Sequence, residues 1–263
     1  MPPGCPLSDH LLVRVEDGVL WLTFDRPEVL NAVDGQMMTA LASELEGARA
    51  RDDVRAVVVT GTGRGFSAGA DMELLQLAPE HPVETMDAAN RVIRAVVDCP
   101  VPVLAAVNGI AAGVACSAAL VSDIIVAAES AAFLLPFSRI GLMTDGGSSA
   151  TVAASVGRAR AMRIALLGEP LSAPDALACG LITHVAPDDS FADEVARLAR
   201  RLAAGPGLAQ SGIKKAINAA TLPHLEAALD REHSGQRALF TTADFAEGLD
   251  AFAAGRRPVF RGE

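Results

Sequence analysis

Apolar and polar positions along this chain follow two different periods. Leu11 to Glu16 and Val19 to Phe24 are short extended runs separated by Asp17-Gly18, a pair suited to a tight hairpin turn. Residues 54–60, 101–107 and 123–128 are continuous apolar runs rich in β-branched residues, the pattern of strands buried on both faces. Residues 131–133 form a shorter strand-like run. Between these runs the period changes. Met37, Met38, Leu41 and Leu45 recur at helical spacing within 34–49, behind Asp34 as an N-cap, and read as core residues. Further helices are expected from Met72, over 81–97, 148–156, 159–166, 173–179 and 191–204, with only helical pattern from Gln210 on. Strands thus alternate with helices to about residue 190, and helices alone follow. That order predicts an α/β protein built from parallel ββα-like units with a helical C-terminal part.

The stretch from Val101 to Asp145 carries the first chemical signal. A buried strand ends on Asn108-Gly109, and Ile110 to Leu120 is a run of small residues with good helix propensity, read as one helix. The first amides of such a helix have no intrahelical acceptor and lie at the positive end of its dipole. They are suited to holding a negative oxygen, and Gly113 lets a ligand approach the backbone. A second glycine-rich loop, Gly61 to Asp71, follows an earlier strand. Its glycines do not fit the dinucleotide fingerprint G-x-G-x-x-G, and its helix begins too late.

The chain has 263 residues, and half of them are hydrophobic, enough for a large core. A net charge of −10 argues against nucleic acid as partner, and no basic run suggests an anionic membrane surface. The apolar region 101–137 is interrupted by Asn108, Gly109, Gly113, Asp123 and Glu129, whereas a membrane span needs roughly 20 unbroken apolar residues. The N-terminal residues lack a basic segment followed by an apolar one, so no signal peptide is expected. Four cysteines lie scattered without metal-like spacing, which fits reduced thiols and a cytoplasmic location, and Cys116 reads as a buried thiol. The five histidines form no catalytic arrangement with Ser and Asp, and His184 reads as a structural residue at a strand end.

Several motifs together resemble the enoyl-CoA hydratase/isomerase (crotonase) superfamily. They are Phe66-Ser67-Ala68-Gly69-Ala70-Asp71, Ala106-Val107-Asn108-Gly109, Asp123-Ile124-Ile125-Val126-Ala127, and Gly168-Glu169-Pro170-Leu171-Ser172-Ala173 with Ala178-Cys179-Gly180-Leu181-Ile182. Phe245-Ala246-Glu247-Gly248 and Phe260-Arg261 extend the likeness to the C-terminus. The resemblance implies a crotonase-like spiral of ββα units over residues 11–200, after a disordered lead at 1–10, and a helical oligomerisation region over 201–263. It implies homotrimers or hexamers and an acyl-coenzyme A thioester as substrate, with no further cofactor and no metal. It also implies an enolate held by two backbone amides, here those of Ala70 and Val114. Arg26, Leu30, Ala68, Asp71 and Met72 would hold the coenzyme, with Gly113 and Phe137 at the acyl part. Arg261 would meet phosphate, with a neighbouring subunit as its possible source. For Arg26 and Arg261, a solvated surface charge is the competing reading.

The chain departs from that pattern where hydratases of the family carry two glutamates. Ser117 and Phe137, after Pro136, stand at those positions. A serine without a partner is a poor base, and phenylalanine moves no proton. One carboxylate remains, Asp145, in Gly141-Leu142-Met143-Thr144-Asp145-Gly146-Gly147. This loop is similar to that of family members which move a double bond or open a ring with an aspartate, although Thr144 replaces their proline. An N-cap for the helix at Ser148 is the competing role of Asp145. The expected function is an isomerase-type proton shuttle. The alternatives are a hydratase with a rearranged site using Ser117 or another residue, and an acyl-CoA binder without catalysis. Leu74, Leu75, Leu77, Phe137 and Leu142 are candidates for an apolar acyl tunnel.

Overall fold

The computed structural model describes residues 8–77 and 81–263. Its strands are β1 (Leu11–Glu16), β2 (Val19–Phe24), β3 (Ala56–Gly61), β4 (Gly65–Ser67), β5 (Val103–Val107), β6 (Ile110–Ala112), β7 (Ile124–Ala128), β8 (Ala132–Leu134), β9 (Leu171–Ser172) and β10 (His184–Ala186). Its helices are α1 (Gly35–Gly47), α2 (Met72–Leu77), α3 (His81–Asp98), α4 (Gly113–Leu120), α5 (Ser148–Val156), α6 (Arg158–Leu167), α7 (Ala173–Ala178), α8 (Phe191–Ala203), α9 (Gly207–Thr221), α10 (Leu225–Leu239) and α11 (Ala243–Ala253).

Six strands form one sheet in the order β1-β2-β3-β5-β7-β10, and four form a smaller one in the order β4-β6-β8-β9. The hairpin β1-β2 is antiparallel, with Glu16 opposite Val19 across the turn. From β2 to β10 every pairing in the large sheet is parallel. β3, β5 and β7 each lead within a few residues into a strand of the small sheet, β4, β6 and β8, before the next helix. This is the expected α/β spiral of ββα turns, and α8 to α11 supply the C-terminal helical region. The β-branched runs are buried as strands because both sheet faces are covered. Val57, Val59, Val103, Ala105 and Val107 face a core shared with α1, α3 and α4. Val58, Leu104, Ala106 and Val126 face Val195, Ala199 and Ala203 of α8. Met37, Met38, Leu41 and Leu45 lie in the core as expected.

Two expectations need correction. The helix read over 110–120 begins only at Gly113, because Ile110–Ala112 forms β6 and pairs in parallel with β4 and β8. Alanine's helix propensity yields here to the hydrogen-bond partners that the neighbouring strands offer. Gly109 allows the chain to pass between the sheets, since a Cβ there would lie 2.2 Å from the Arg64 carbonyl oxygen. The lead expected at 1–10 falls mostly outside the described residues, but residues 8–10 are ordered as a turn. The His10 amide donates to Ser8 Oγ at 3.2 Å, and the His10 carbonyl accepts from Asp25.

The C-terminal helices are tied to the core by a buried ion pair. Lys214 of α9 donates to Asp123 Oδ2 and to the Val96 carbonyl, both at 2.7 Å. Asp123, directly before β7, also accepts the Val103 amide at 2.8 Å. Burial pushes its carboxyl up despite the lysine.

Candidate active site

Two loops are brought together by two glycines. In the first, the Gly69 carbonyl accepts from Val33 and the Asp71 amide donates to the Val33 carbonyl. Successive peptide groups in an extended segment point to opposite sides, so the Ala70 amide between them faces away from Val33. The second loop is the start of α4, where Val114 is the second helical residue and its amide has no acceptor one turn back. Gly69 has φ +90° and Gly113 φ +53°, and a Cβ on Gly69 would lie 2.8 Å from the Ala112 carbonyl oxygen. Each glycine directly precedes one of the amides that the sequence nominates, and their contact sets the spacing of the two donors. Replacing Gly69 by Ala is expected to push the loops apart. Turnover should fall by about 10²-fold or more, the cost of losing one preorganised donor, in a steady-state assay with the folded variant.

Ala70 and Val114 line a narrow apolar cavity of about 90 Å³ together with Gly69, Gly113, Phe137 and Asp145. Leu75 and Leu142 also line it, as expected for the tunnel, and so do Met72, Met86, Ile140 and Phe240. Leu74 does not. It is exposed and lines a wider neighbouring cleft with Asp34, Gln36 and Asp71. The side chain of Leu77 lies outside the described residues. Among the described residues lining the narrow cavity, Asp145 carries the only ionisable side chain.

Asp145 is 8% exposed. Its Oδ2 accepts from Gln236 Nε2 at 2.9 Å, and its buried Oδ1 has no partner. Burial raises its pKa to about 7, the Gln236 hydrogen bond opposes that, and the charge of Glu232 adds to it. The cap reading of Asp145 is wrong. Glu232 of α10 takes the Gly147 amide at 2.6 Å and the Ser149 amide at 2.9 Å, and so satisfies the start of α5. Asp145 contributes only its backbone carbonyl there, to the amide and hydroxyl of Ser148.

Ser117 is also accounted for. It is fully buried, does not line the cavity, and donates to the Asp145 carbonyl at 2.9 Å. The Asp145 loop packs directly on it, since a Cβ at Gly146 would lie 2.8 Å from Ser117 Cβ. Ser117, a small residue, thus makes room for the loop that carries Asp145. Phe137 forms cavity wall.

The residues expected at the coenzyme form a second group, of which Ala68 and Met72 line the narrow cavity and Asp71 the neighbouring cleft. Arg26 ion-pairs with Asp71 at 2.9 Å and donates to the Ala32 carbonyl. It is not the solvated charge of the competing reading, because its guanidinium is largely buried. Asp71 also accepts the Glu73 and Leu74 amides at the start of α2, leaving exposed Glu73 outside the site. The Leu30 carbonyl accepts the Ala68 amide at 2.8 Å. Arg26, Leu30, Ala68, Asp71 and Met72 are therefore adjacent. Arg261 is placed apart from them, on a C-terminal tail held by Asp244, whose carboxylate accepts the Arg261 and Gly262 amides. Cys116 is a buried thiol pushed up to about 12 by desolvation, and His184 starts β10 and meets Glu194 at the surface, so neither belongs to the site.

Sequence reasoning missed Glu232 and Gln236. A signal was present: Leu225, Ala228 and Leu229 mark a buried stripe on α10, and Glu232 and Gln236 continue it at the next two turns. Polar residues in such a stripe need buried partners.

A spiral of ββα turns that places the Ala70 and Val114 loops and one buried acid around a single apolar cavity is an arrangement able to stabilise negative charge on a carbonyl oxygen. The enoyl-CoA hydratase/isomerase family model matches residues 14–263. The chain is 40% identical over 262 residues to the 1,2-epoxyphenylacetyl-CoA isomerase of Escherichia coli (strain K12), covering 98% of this chain and all of that protein. It is 41% identical over 264 residues to a probable enoyl-CoA hydratase of Rhodobacter capsulatus, with 97% and 100% covered. Its fold matches the crystal structure of an enoyl-CoA hydratase from Mycobacterium avium subsp. paratuberculosis K-10 with a TM-score of 0.90 at 46% identity, covering 96% of this chain and 98% of that one. The protein belongs to the enoyl-CoA hydratase/isomerase family.

Proposed function

We propose that this enzyme isomerises an acyl-CoA thioester by moving a proton with Asp145. The observation that carries the reading is the unpaired, buried Oδ1 of Asp145 in the cavity that both amide donors line. The thioester oxygen takes the Ala70 and Val114 amides, and negative charge grows on it as Asp145 removes a proton from the adjacent carbon. The same carboxyl then returns the proton further along the acyl chain. One carboxylate suffices because no water is added. The value of about 7 suits both halves of the cycle, since a shuttle must take and give a proton at similar cost. The isomerase name of one close relative supports this reading, while the hydratase names of others keep water addition as its rival. Against that rival stands the burial of Ser117 away from the cavity. Arg26, Leu30, Ala68 and Met72 would flank the coenzyme, and Arg261 would meet the phosphate of a coenzyme bound to a neighbouring subunit. Ile213 and Ile217, exposed one turn apart on the same face of α9, support assembly into trimers or their pairs.

The test is mass spectrometry of 3-enoyl- and 2-enoyl-CoA incubated with the enzyme in deuterated water. Deuterium in the chain with a shifted double bond and no added water is the expected product. A hydrated product would establish the rival. Binding without any change of the thioester would leave a non-catalytic acyl-CoA binder.

A further inference from the structure

The carboxamide of Gln236 has only one possible orientation. Gln236 is fully buried, and its Oε1 accepts the Met143 amide at 3.1 Å while its Nε2 donates to Asp145 Oδ2 at 2.9 Å. A backbone amide can only donate, so the oxygen must face Met143 and the NH₂ group must face Asp145. Oδ2 is thereby engaged as an acceptor, and a proton on it would weaken that hydrogen bond. Any proton on Asp145 therefore sits on Oδ1, the oxygen without a partner that belongs to the cavity-lining side chain. One turn earlier on α10, Glu232 holds the other side of the same loop through the Gly147 and Ser149 amides. Gly235 between them lets α10 close onto the loop, since a Cβ there would meet Met143 Sδ at 2.3 Å.

We propose that Gln236 and Glu232 are positioning residues which make Oδ1 the single proton-transfer atom of Asp145, Gln236 by engaging Oδ2 and Glu232 by fixing the loop. The proposal rests on Asp145 being the proton carrier proposed above. The two residues pull its ionisation in opposite directions. Gln236 donates to the carboxylate and favours it; the Glu232 carboxylate opposes a second nearby anion. Arg231 acts weakly on Glu232, and the other walls around Asp145, from α3, α4 and the turn Phe137–Ile140, bring Met86, Ala89, Val114, Phe137 and Ile140, all uncharged.

The test follows the Asp145 carboxyl directly, by carbon NMR titration of protein labelled at aspartate Cγ, with the signal assigned by its loss in Asp145→Asn. Gln236→Met is expected to move the midpoint up and Glu232→Gln to move it down, each by about half a unit or more. The kcat of Gln236→Met on the 3-enoyl-CoA substrate is expected to fall about tenfold or more with KM within about twofold, since substrate binding is untouched. General damage to packing does not shift one carboxyl in opposite directions. Midpoints that stay in place, or that move the same way, overturn the proposal. If Gln236→Met does not fold, Glu232→Gln decides alone: a midpoint that fails to fall overturns it. Because the titration needs no turnover, a wild-type enzyme inactive on every 3-enoyl-CoA would strike the proton-shuttle reading while the NMR result still decides the positioning pair.

Discussion

Asp145→Asn is expected to lower kcat by about 10³-fold, within the range contributed by a positioned general base, while the variant still binds the thioester. The amide keeps the size of the carboxyl and can turn its oxygen to Gln236, so the loop between Leu142 and Ser148 stays in place. The wild-type pH profile should show the same group. Asp145 must be ionised to take a proton, so kcat/KM is expected to rise with pH and level off above a midpoint near 7. The variant should also be the more stable protein at alkaline pH. A carboxyl whose folded pKa is raised from 3.8 to about 7 contributes its full stability below about pH 4 and loses it as pH climbs to about 7. At pH 8 the ionised Asp145 costs up to about 4 kcal/mol, which the asparagine does not incur. Thermal unfolding at pH 4 and pH 8 checks the sign: the gain should appear at pH 8 and be nearly absent at pH 4. An equally active Asp145→Asn enzyme would remove the proposed mechanism.

Lys214→Met is expected to give the largest loss of stability, about 3–5 kcal/mol, the scale of a buried pair broken from one side. Lys214 is one of only two lysines in the chain, and its ammonium is buried against Asp123 and the Val96 carbonyl. Removing it leaves the Asp123 carboxylate with the Val103 amide as its donor. The carboxyl of Asp123 is already pushed up by burial and would rise further, so the loss should be greatest at alkaline pH and shrink on acidification as Asp123 takes a proton. The double variant Lys214→Met with Asp123→Asn is expected to recover part of the loss at pH 8, because the uncompensated charge is gone. Denaturant unfolding of the four proteins forms the cycle that measures the coupling. No recovery in the double variant would mean that the hydrogen bond to the Val96 carbonyl, not the pairing with Asp123, anchors α9, since methionine keeps most of the lysine stem.

The spiral was legible because its strands are continuous β-branched runs, a pattern that only doubly covered strands can bury. Its helices were legible because Met37, Met38, Leu41 and Leu45 repeat at helical spacing. The two loops were legible because Gly69 and Gly113 take positive φ there, and the resemblance nominated the Ala70 and Val114 amides that follow them. β6 was not legible as a strand, because Ile110, Ala111 and Ala112 carry no strand pattern of their own. They are extended because β4 and β8 lie on either side with free backbone groups.

The role of Asp145 divides along the same line. The sequence by itself determined that Asp145 is the carboxylate of the loop after Phe137, and the resemblance set Ser117 and Phe137 where hydratases of the family carry glutamates. It could not choose between a helix cap and an acid, since an aspartate three residues before a helix suits both. The tertiary structure removed the cap reading by bringing α10 across from some 90 residues further along the chain. Glu232 takes the helix amides, Gln236 takes one oxygen of Asp145, and the other is left bare in an apolar cavity. A local pattern records which backbone conformations and which buried faces a segment prefers. The ionisation of a buried group depends on what surrounds it, and only the folded chain brings those surroundings together.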